Sequence, residues 1–216
     1  MSRRSLRPIL ASVGVVLAIC LLSVREGSAQ RQPPIAKFEA MAMDTASATP
    51  QRAGHIEIAI EHWSKDGVGE KLGEAVKGGA AKLLDTLKNA GSPIGVINSP
   101  GFQGLGARAR LPRSQSLLYA RDLKTASGRQ VVIATDEHLG FGEPGKERAR
   151  SEANEFTVID IRFGGDGKGV GKIALADHVT YNAETKSIEL ADYDKLPASL
   201  VDVVAAAAST APKPKH

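Results

Sequence analysis

The chain has 216 residues, with 28 lysines and arginines against 24 acidic residues and a formal charge of +4. Residues 1–29 hold four of the arginines and one glutamate, so the rest of the chain carries 24 basic and 23 acidic residues, a charge of +1. This balance gives no electrostatic reason to expect nucleic acid or an anionic membrane surface as a partner. The single cysteine, Cys20, also lies in residues 1–29, so the remainder has no disulfide, cysteine nucleophile or cysteine-based metal site.

Residues 1–29 are predicted to be a secretory signal peptide. Three arginines precede an apolar run at 9–22, and Gly27-Ser28-Ala29 supplies the small residues that a signal peptidase recognises. The apolar run is shorter than the roughly 20 residues that cross a bilayer. We therefore expect export to the periplasm or the medium, with no stable membrane insertion after cleavage. The Arg3-Arg4 pair leaves open whether the Sec or the twin-arginine route is used.

Period-two alternation dominates the segment after the leader. Residues 30–35 contain two adjacent prolines and are predicted to be an extended linker. Strands are predicted at 37–45 and 55–63, and in the second of these three isoleucines alternate with polar or small residues. A strand with one apolar face and one solvent-exposed face favours an antiparallel sheet over a parallel one.

One helical region is predicted, at 66–90. Its leucines and valines recur at spacings of three and four, and Gly91 followed by Pro93 is typical of a helix end. The Gly78-Gly79 pair in the middle costs roughly 1 kcal/mol per glycine relative to alanine, so we expect the helix to be broken there into two short helices or one kinked helix.

The remainder of the chain again shows strand alternation, with turn residues at 125–128, 164–167 and 182–185 that suit hairpins. The predicted fold class is α+β: an antiparallel sheet of about eight strands, curled toward a barrel, packed on one broken helix. This single domain spans 36–205, and 206–216 is predicted to be a disordered tail. The further strands are predicted at 95–98, 116–123, 129–136, 155–163, 170–181, 186–193 and 199–205.

An acid-imidazole cluster follows the strand predicted at 129–136. Asp136, His138 and Glu143 could act as catalytic acid and base, and His138 with Asp136 could ligate a metal ion. The spacing is not specific for either role. A polar turn is the alternative, since Gly140 and the residues after it predict the end of the strand.

Two further sets of residues could bind a ligand. Arg108, Arg110 and Arg113 lie in a predicted loop and could clamp an anion such as phosphate or a carboxylate. No aromatic residue lies between them, so the loop offers no platform for base stacking. Trp63 is the only tryptophan and stands at the predicted junction between strand and helix, where it could serve in packing or in binding.

No cofactor is predicted. The glycine-rich segment 163–176 has Ile173 where a P-loop requires Ser or Thr, and strand alternation follows it where a dinucleotide-binding turn requires a helix. We therefore interpret this segment as a hairpin.

Several segments together resemble a family of uncharacterised exported bacterial proteins: IEIAIEHWS, KLGEAVKGGAAKLLDTLKNAG, LLYARDL, VVIATDEHLGFGEP, EFTVIDIRF, GKGVGKIALA and IELADY. The resemblance covers about residues 36–204 and implies export and a single domain, with no known activity. The chain departs from the family pattern at His62, where arginine is usual, and at Glu137-His138, where Arg followed by a small or polar residue is usual. These departures argue against His138 as a shared catalytic residue.

Three functions are compatible with these observations. The leading hypothesis is a non-enzymatic exported protein that binds a small apolar ligand or an envelope partner, because a curled sheet with small inward residues leaves room for a ligand. The second is a metal-dependent or acid/base hydrolase that uses Asp136, His138 and Glu143. The third is a purely structural envelope domain. The alanines that would leave room in the sheet are Ala40, Ala42, Ala174 and Ala176.

Overall fold

The computed structural model describes residues 33–44, 52–99, 113–139 and 156–206, all within the compact unit Gln32–His216. These residues form two α-helices and eleven β-strands. The helices are α1 (Asp66–Val76) and α2 (Ala80–Lys88). The strands are β1 (Ala36–Asp44), β2 (Arg52–Ile60), β3 (Gly95–Ser99), β4 (Arg113–Leu117), β5 (Tyr119–Thr125), β6 (Gly128–Thr135), β7 (Thr157–Phe163), β8 (Gly169–Leu175), β9 (Val179–Asn182), β10 (Ser187–Leu190) and β11 (Ala198–Ala206).

Nine of these described strands form one antiparallel sheet in the order β4-β3-β2-β1-β11-β8-β7-β6-β5. The two outer strands, β4 and β5, are consecutive in the chain and are separated only by Leu118. The backbone N–H of Leu118 donates to the carbonyl of Ala134 on β6 at 3.0 Å. The chain therefore bends at Leu118 and brings the two edges together, so the sheet is nearly closed and barrel-like.

The inside of the barrel is filled by apolar side chains. Alternate residues of each strand point inward, as the predicted alternation in β2 requires. They form one continuous cluster, which consists of aliphatic residues together with Phe38 and Phe163. Trp63, which follows β2, packs against this cluster. The isoleucines and valines that form its centre are Ile56, Ile58, Ile60, Ile97, Val131, Ile133, Ile159, Ile161, Ile173 and Val203.

A second layer covers the outer face of β5 to β8. It consists of α1, α2 and the two-stranded sheet of β9 and β10, and it encloses a second cluster around Leu72, Leu87 and Phe156. Strands β6 and β7 are therefore buried on both faces. This explains why Val131 to Thr135 are all buried and why the sequence there shows a continuous apolar run instead of alternation.

The break in the helical region lies where the sequence predicts it. Gly78 and Gly79 donate their N–H groups to Ala75 and Val76, which ends α1. Gly79 then adopts a φ of +84°, which favours glycine, and its carbonyl accepts the N–H of Leu83 in α2. Neither helix of the described chain combines the length and the apolar character that a membrane span requires.

The α+β class and the antiparallel, curled sheet are confirmed, but the predicted counts are wrong in detail. The main sheet has nine described strands instead of about eight, and the broken helix is two separate helices, α1 and α2. The segment 170–181 is not a single strand, because a 3₁₀ turn at Ala176–His178 ends β8 and carries the chain into β9 in the outer layer. The predicted signal peptide and most of the predicted tail lie outside the described residues.

Candidate functional site

Polar residues collect at one end of the barrel, defined here as the polar end by Ser99, Gln115, Thr135 and Thr157. Thr135 and Thr157 are direct partners across β6 and β7, and Ser99 pairs with Arg113 across β3 and β4. All four residues that define the end are buried, although each stands at or near the end of its strand. The polar end is thus a small hydrophilic region above the apolar barrel interior.

Gln115 joins two parts of this end that do not pair through their backbones. Its side-chain amide on β4 donates from Nε2 to Glu137 Oε2 at 3.2 Å and to the carbonyl of His138 at 3.4 Å. Residues 136–139 follow β6, so the glutamine bridges the gap between β4 and the chain beyond β6. A side chain therefore completes the barrel here where a backbone ladder is missing.

Thr157 fixes the same segment from the other side. Its hydroxyl donates to the carbonyl of Glu137 at 2.8 Å and accepts the N–H of Leu139 at 3.3 Å. Leu139 belongs to the barrel interior cluster. Thr135 adds a third contact, since its hydroxyl accepts the N–H of Glu137 at 3.4 Å. Three hydrogen-bonding side chains and the buried Leu139 therefore hold this segment in place.

One polar atom of this network has no partner in the described chain. Gln115 is 3% exposed, and its Oε1 atom is buried without a hydrogen bond. A buried acceptor without a donor costs about 1–3 kcal/mol, and native proteins rarely leave one in place without a reason. The side-chain carbonyl of Gln115 is therefore an acceptor that a donor from a water, a ligand or a partner would satisfy.

The acid-imidazole cluster predicted from the sequence borders this network. Asp136 and His138 are half-buried and flank Glu137, whose carboxylate accepts the Gln115 hydrogen bond. Glu143 lies outside the described residues. Within the ranges that the structure describes, no group of three or more His, Cys, Asp or Glu side chains is placed to hold a metal ion. The catalytic and metal-binding roles of this cluster stay predictions.

The predicted arginine loop connects two strand ends that lie at the polar end. Arg113 is exposed and begins β4, two residues before Gln115. Arg108 and Arg110 lie outside the described residues, in the connection from Ser99 to Arg113. Binding of an anion by these arginines stays a prediction.

Trp63 lies away from the polar end. It follows Ile60, whereas the polar end is reached at Arg52, the opposite end of β2. The next residue, Ser64, exchanges two hydrogen bonds with Ala120, one from its N–H at 2.8 Å and one to its hydroxyl at 3.1 Å. These contacts and the packing on the barrel cluster show the packing role that the sequence suggested, while a binding role for Trp63 stays a prediction.

The four alanines that suggested an internal cavity do not share one face. Ala40 and Ala42 point into the barrel, whereas Ala174 and Ala176 belong to the cluster under the outer layer. The premise that they line a common space is therefore wrong. Period-two alternation gives the relative facing of residues within a strand, but it does not say which face of a strand buried on both sides is the inner one.

Gln115 and Thr157 were missed as site residues by reasoning from the sequence. A glutamine between two serines on a short strand is typical of a solvent-facing position. One feature of the sequence does indicate the position of Gln115. Leu117 is apolar and lies two residues further along the strand, on the same face, so this face, with Gln115 on it, is expected to point inward.

Comparisons with protein-family models, with curated proteins and with solved structures found no match to this chain. The functional argument therefore rests on the geometry of the molecule.

Proposed function

We propose that this chain is an exported, non-enzymatic binding protein that binds its ligand or envelope partner at the polar end of the barrel. The observation that carries the proposal is the buried carbonyl oxygen of Gln115, which has no hydrogen-bond donor in the described chain. Export rests on the signal peptide predicted from the sequence.

The packing of the barrel supports binding at its end over binding in its interior. Small barrels hold a ligand only where inward residues leave space, and here large residues such as Phe38, Ile133 and Leu117 fill the centre. A ligand with an apolar body would therefore have to lie outside the barrel, at the polar end.

The chemistry of the site favours a ligand that donates hydrogen bonds. The Oε1 atom of Gln115 and the carboxylate of Glu137 are both acceptors, and the Nε2 donor of Gln115 is already bonded. We expect the recognised group to be a hydroxyl, an amide or an ammonium, because these are the groups that donate to an amide carbonyl beside a carboxylate.

Native mass spectrometry tests this proposal. The protein, purified as residues 30–216 from an exporting host, should show extra mass that is lost on denaturation. A Gln115→Met variant keeps the volume of the side chain but removes the acceptor, and it should lose that mass. Ser116→Ala, on the same strand but on its other face, is the control and should retain it.

The stability of the variant without ligand shows whether a loss of bound mass could come from a loss of the fold. Gln115→Met removes two hydrogen bonds and also removes the unpartnered acceptor, so its free energy of unfolding should stay within about 1 kcal/mol of the wild type without ligand. A wild-type protein with no bound mass and no binding partner in the exporting host would overturn the proposal and favour the purely structural alternative.

A further inference from the structure

Strand β1 carries every sulfur atom of the chain after residue 29. The three methionines of the sequence are Met1, Met41 and Met43, and the single cysteine is Cys20. Met1 and Cys20 lie in the predicted signal peptide, so the exported form keeps only the two methionines of β1. These stand two residues apart on one strand, and they therefore point to the same side of the sheet.

The two methionines face away from the barrel interior. The neighbours of Met41 along the strand, Ala40 and Ala42, belong to the interior cluster, whereas Met41 and Met43 do not. Met41 is 39% exposed and Met43 is half-buried. Methionine is one of the residue types that proteins most often bury completely. Packing of the barrel core therefore does not explain why both methionines lie on the outer face of β1.

An imidazole lies beside this pair on the neighbouring strand. His55 on β2 is the direct register partner of Met41, and half of its side chain is exposed. Residues directly opposite each other in an antiparallel pair have Cβ atoms about 4.5–5.5 Å apart, and residues two positions along a strand are about 6.8 Å apart. Because methionine side chains are long and unbranched, the two thioether sulfurs and one ring nitrogen can reach a common point above the sheet.

The surroundings of His55 favour a bound cation. Its Nε2 atom lies 3.8 Å from Oε2 of Glu39, which precedes Met41 on the outer face of β1. Glu57 pairs with Glu39 and follows His55 on the same face of β2. A carboxylate beside one ring nitrogen of a metal-binding histidine orients the ring and makes the other nitrogen a better ligand.

The ligand types on this face select a soft metal ion. Within the described ranges, no three or more His, Cys, Asp or Glu side chains are placed to hold a metal ion, so a site of the kind that zinc or calcium prefers is not formed there. Thioethers are soft ligands that select Cu(I), and imidazole also binds copper. The methionines are therefore the groups that decide which ion this face could bind.

We propose that Met41, Met43 and His55 bind a monovalent soft metal ion, Cu(I), on the outer face of β1 and β2. The thioethers supply two neutral sulfur ligands and the imidazole supplies one nitrogen ligand. The bound ion thus keeps its single positive charge, which the neighbouring carboxylates offset. The site lies outside the barrel and does not use Gln115, so it is independent of the function proposed for the polar end.

Silver(I) is the probe for this site, because it shares the charge and the sulfur preference of Cu(I) and is not oxidised by air. Residues 30–216, labelled with ¹³C in the methionine methyl groups, are purified from an exporting host and titrated with silver nitrate in chloride-free buffer. Both methyl signals in the ¹H–¹³C NMR spectrum should shift together and should reach their end points at one ion per chain. Mg²⁺ and Ca²⁺ should leave both signals unchanged.

Single substitutions test the ligands one at a time. Met43→Leu and His55→Gln should each weaken silver binding at least about tenfold, as measured from the remaining methyl signals. His178→Gln is the matched control, because His178 is an exposed imidazole in the 3₁₀ turn before β9, and its affinity for silver should equal that of the wild type. Far-UV circular dichroism should show the same fold in all three variants, since none of these side chains belongs to the core.

Three results would overturn the proposal. The first is that silver does not shift the methyl signals of the wild type. The second is that the two methionines bind silver independently, with different affinities and two ions per chain. The third is that His55→Gln binds silver as tightly as the wild type does.

Discussion

Gly69 in α1 packs closely against the backbone at Lys186, in the turn between β9 and β10. A methyl group added at Gly69 would overlap the backbone carbonyl oxygen of Lys186 and come to 3.1 Å from the Tyr119 hydroxyl. Lys186 has a φ of +51°, and the next residue, Ser187, shares a 2.9 Å hydrogen bond with Tyr119. The carbonyl therefore cannot move without moving the whole turn.

Gly69→Ala should destabilise the protein although alanine is the better helix former. Alanine gains about 1 kcal/mol in a helix interior. Forcing an extra methyl into a packed contact costs about 1–3 kcal/mol, and the upper part of that range applies here because the obstacle is a backbone atom. The net loss in free energy of unfolding should therefore be about 1–2 kcal/mol.

Gly67→Ala provides the comparison within the same helix, because a methyl group added there meets nothing within 4 Å. This variant should be as stable as the wild type or more stable, by up to about 1 kcal/mol. Urea unfolding followed by far-UV circular dichroism gives the free energy for all three proteins. If Gly69→Ala proved as stable as Gly67→Ala, the close packing of the hairpin on α1 would be refuted.

Two further predictions concern titration and metal content. Burial raises the pKa of Asp160 even though Gln130 and Arg162 oppose the shift. The pKa of Asp160 in the folded protein therefore lies above its unfolded value of about 3.9. The stabilisation by protonated Asp160 is complete below a pH of about 3.9 and is lost as the pH rises through the folded pKa. Urea midpoints from pH 3.5 upward should fall for wild type relative to Asp160→Asn, whereas a constant difference would contradict a raised pKa. The combined substitution Asp136→Ala, His138→Ala and Glu143→Ala should leave the metal content unchanged in elemental mass spectrometry. One metal ion per wild-type chain that this variant lacks would favour the hydrolase hypothesis.

Strand β2 and the break between α1 and α2 could be predicted from the sequence, because neighbouring residues determine both. The isoleucines of β2 alternate, and they all point into the barrel. The Gly78-Gly79 pair separates α1 from α2, since the second glycine takes a conformation that other residues avoid. In both places the backbone preference and the final packing agree.

The errors arose where tertiary structure decides between equal local alternatives. The segment 170–181 alternates throughout, yet its first part belongs to the barrel and its last part to the outer layer. Leu118 looks like the middle of a strand, but it is the bend at which the sheet closes. No local pattern distinguishes a strand that continues from a strand that changes its partner.

The candidate site shows the same limit. The sequence points to Asp136 and His138 because their side chains can act as acid, base or metal ligand, and both residues lie beside the network. The pairing of Gln115 with Leu117 on one strand face indicates that it points inward, but its contacts with Glu137 and His138 follow only from the closure that makes β4 and the chain after β6 neighbours. The side-chain amide of glutamine has a donor, Nε2, and an acceptor, Oε1. Closure of the barrel explains the contacts of the Nε2 donor only.

The two polar atoms of the Gln115 side-chain amide therefore have different roles. Its Nε2 atom has a structural task, since it bridges β4 to Glu137 and His138 where the backbone ladder is absent. Its Oε1 atom has no such task and stays buried at a cost. If the residue served closure alone, Gln115→Met would leave the ligand content of the protein unchanged. If the site binds a donor, the same substitution should abolish binding.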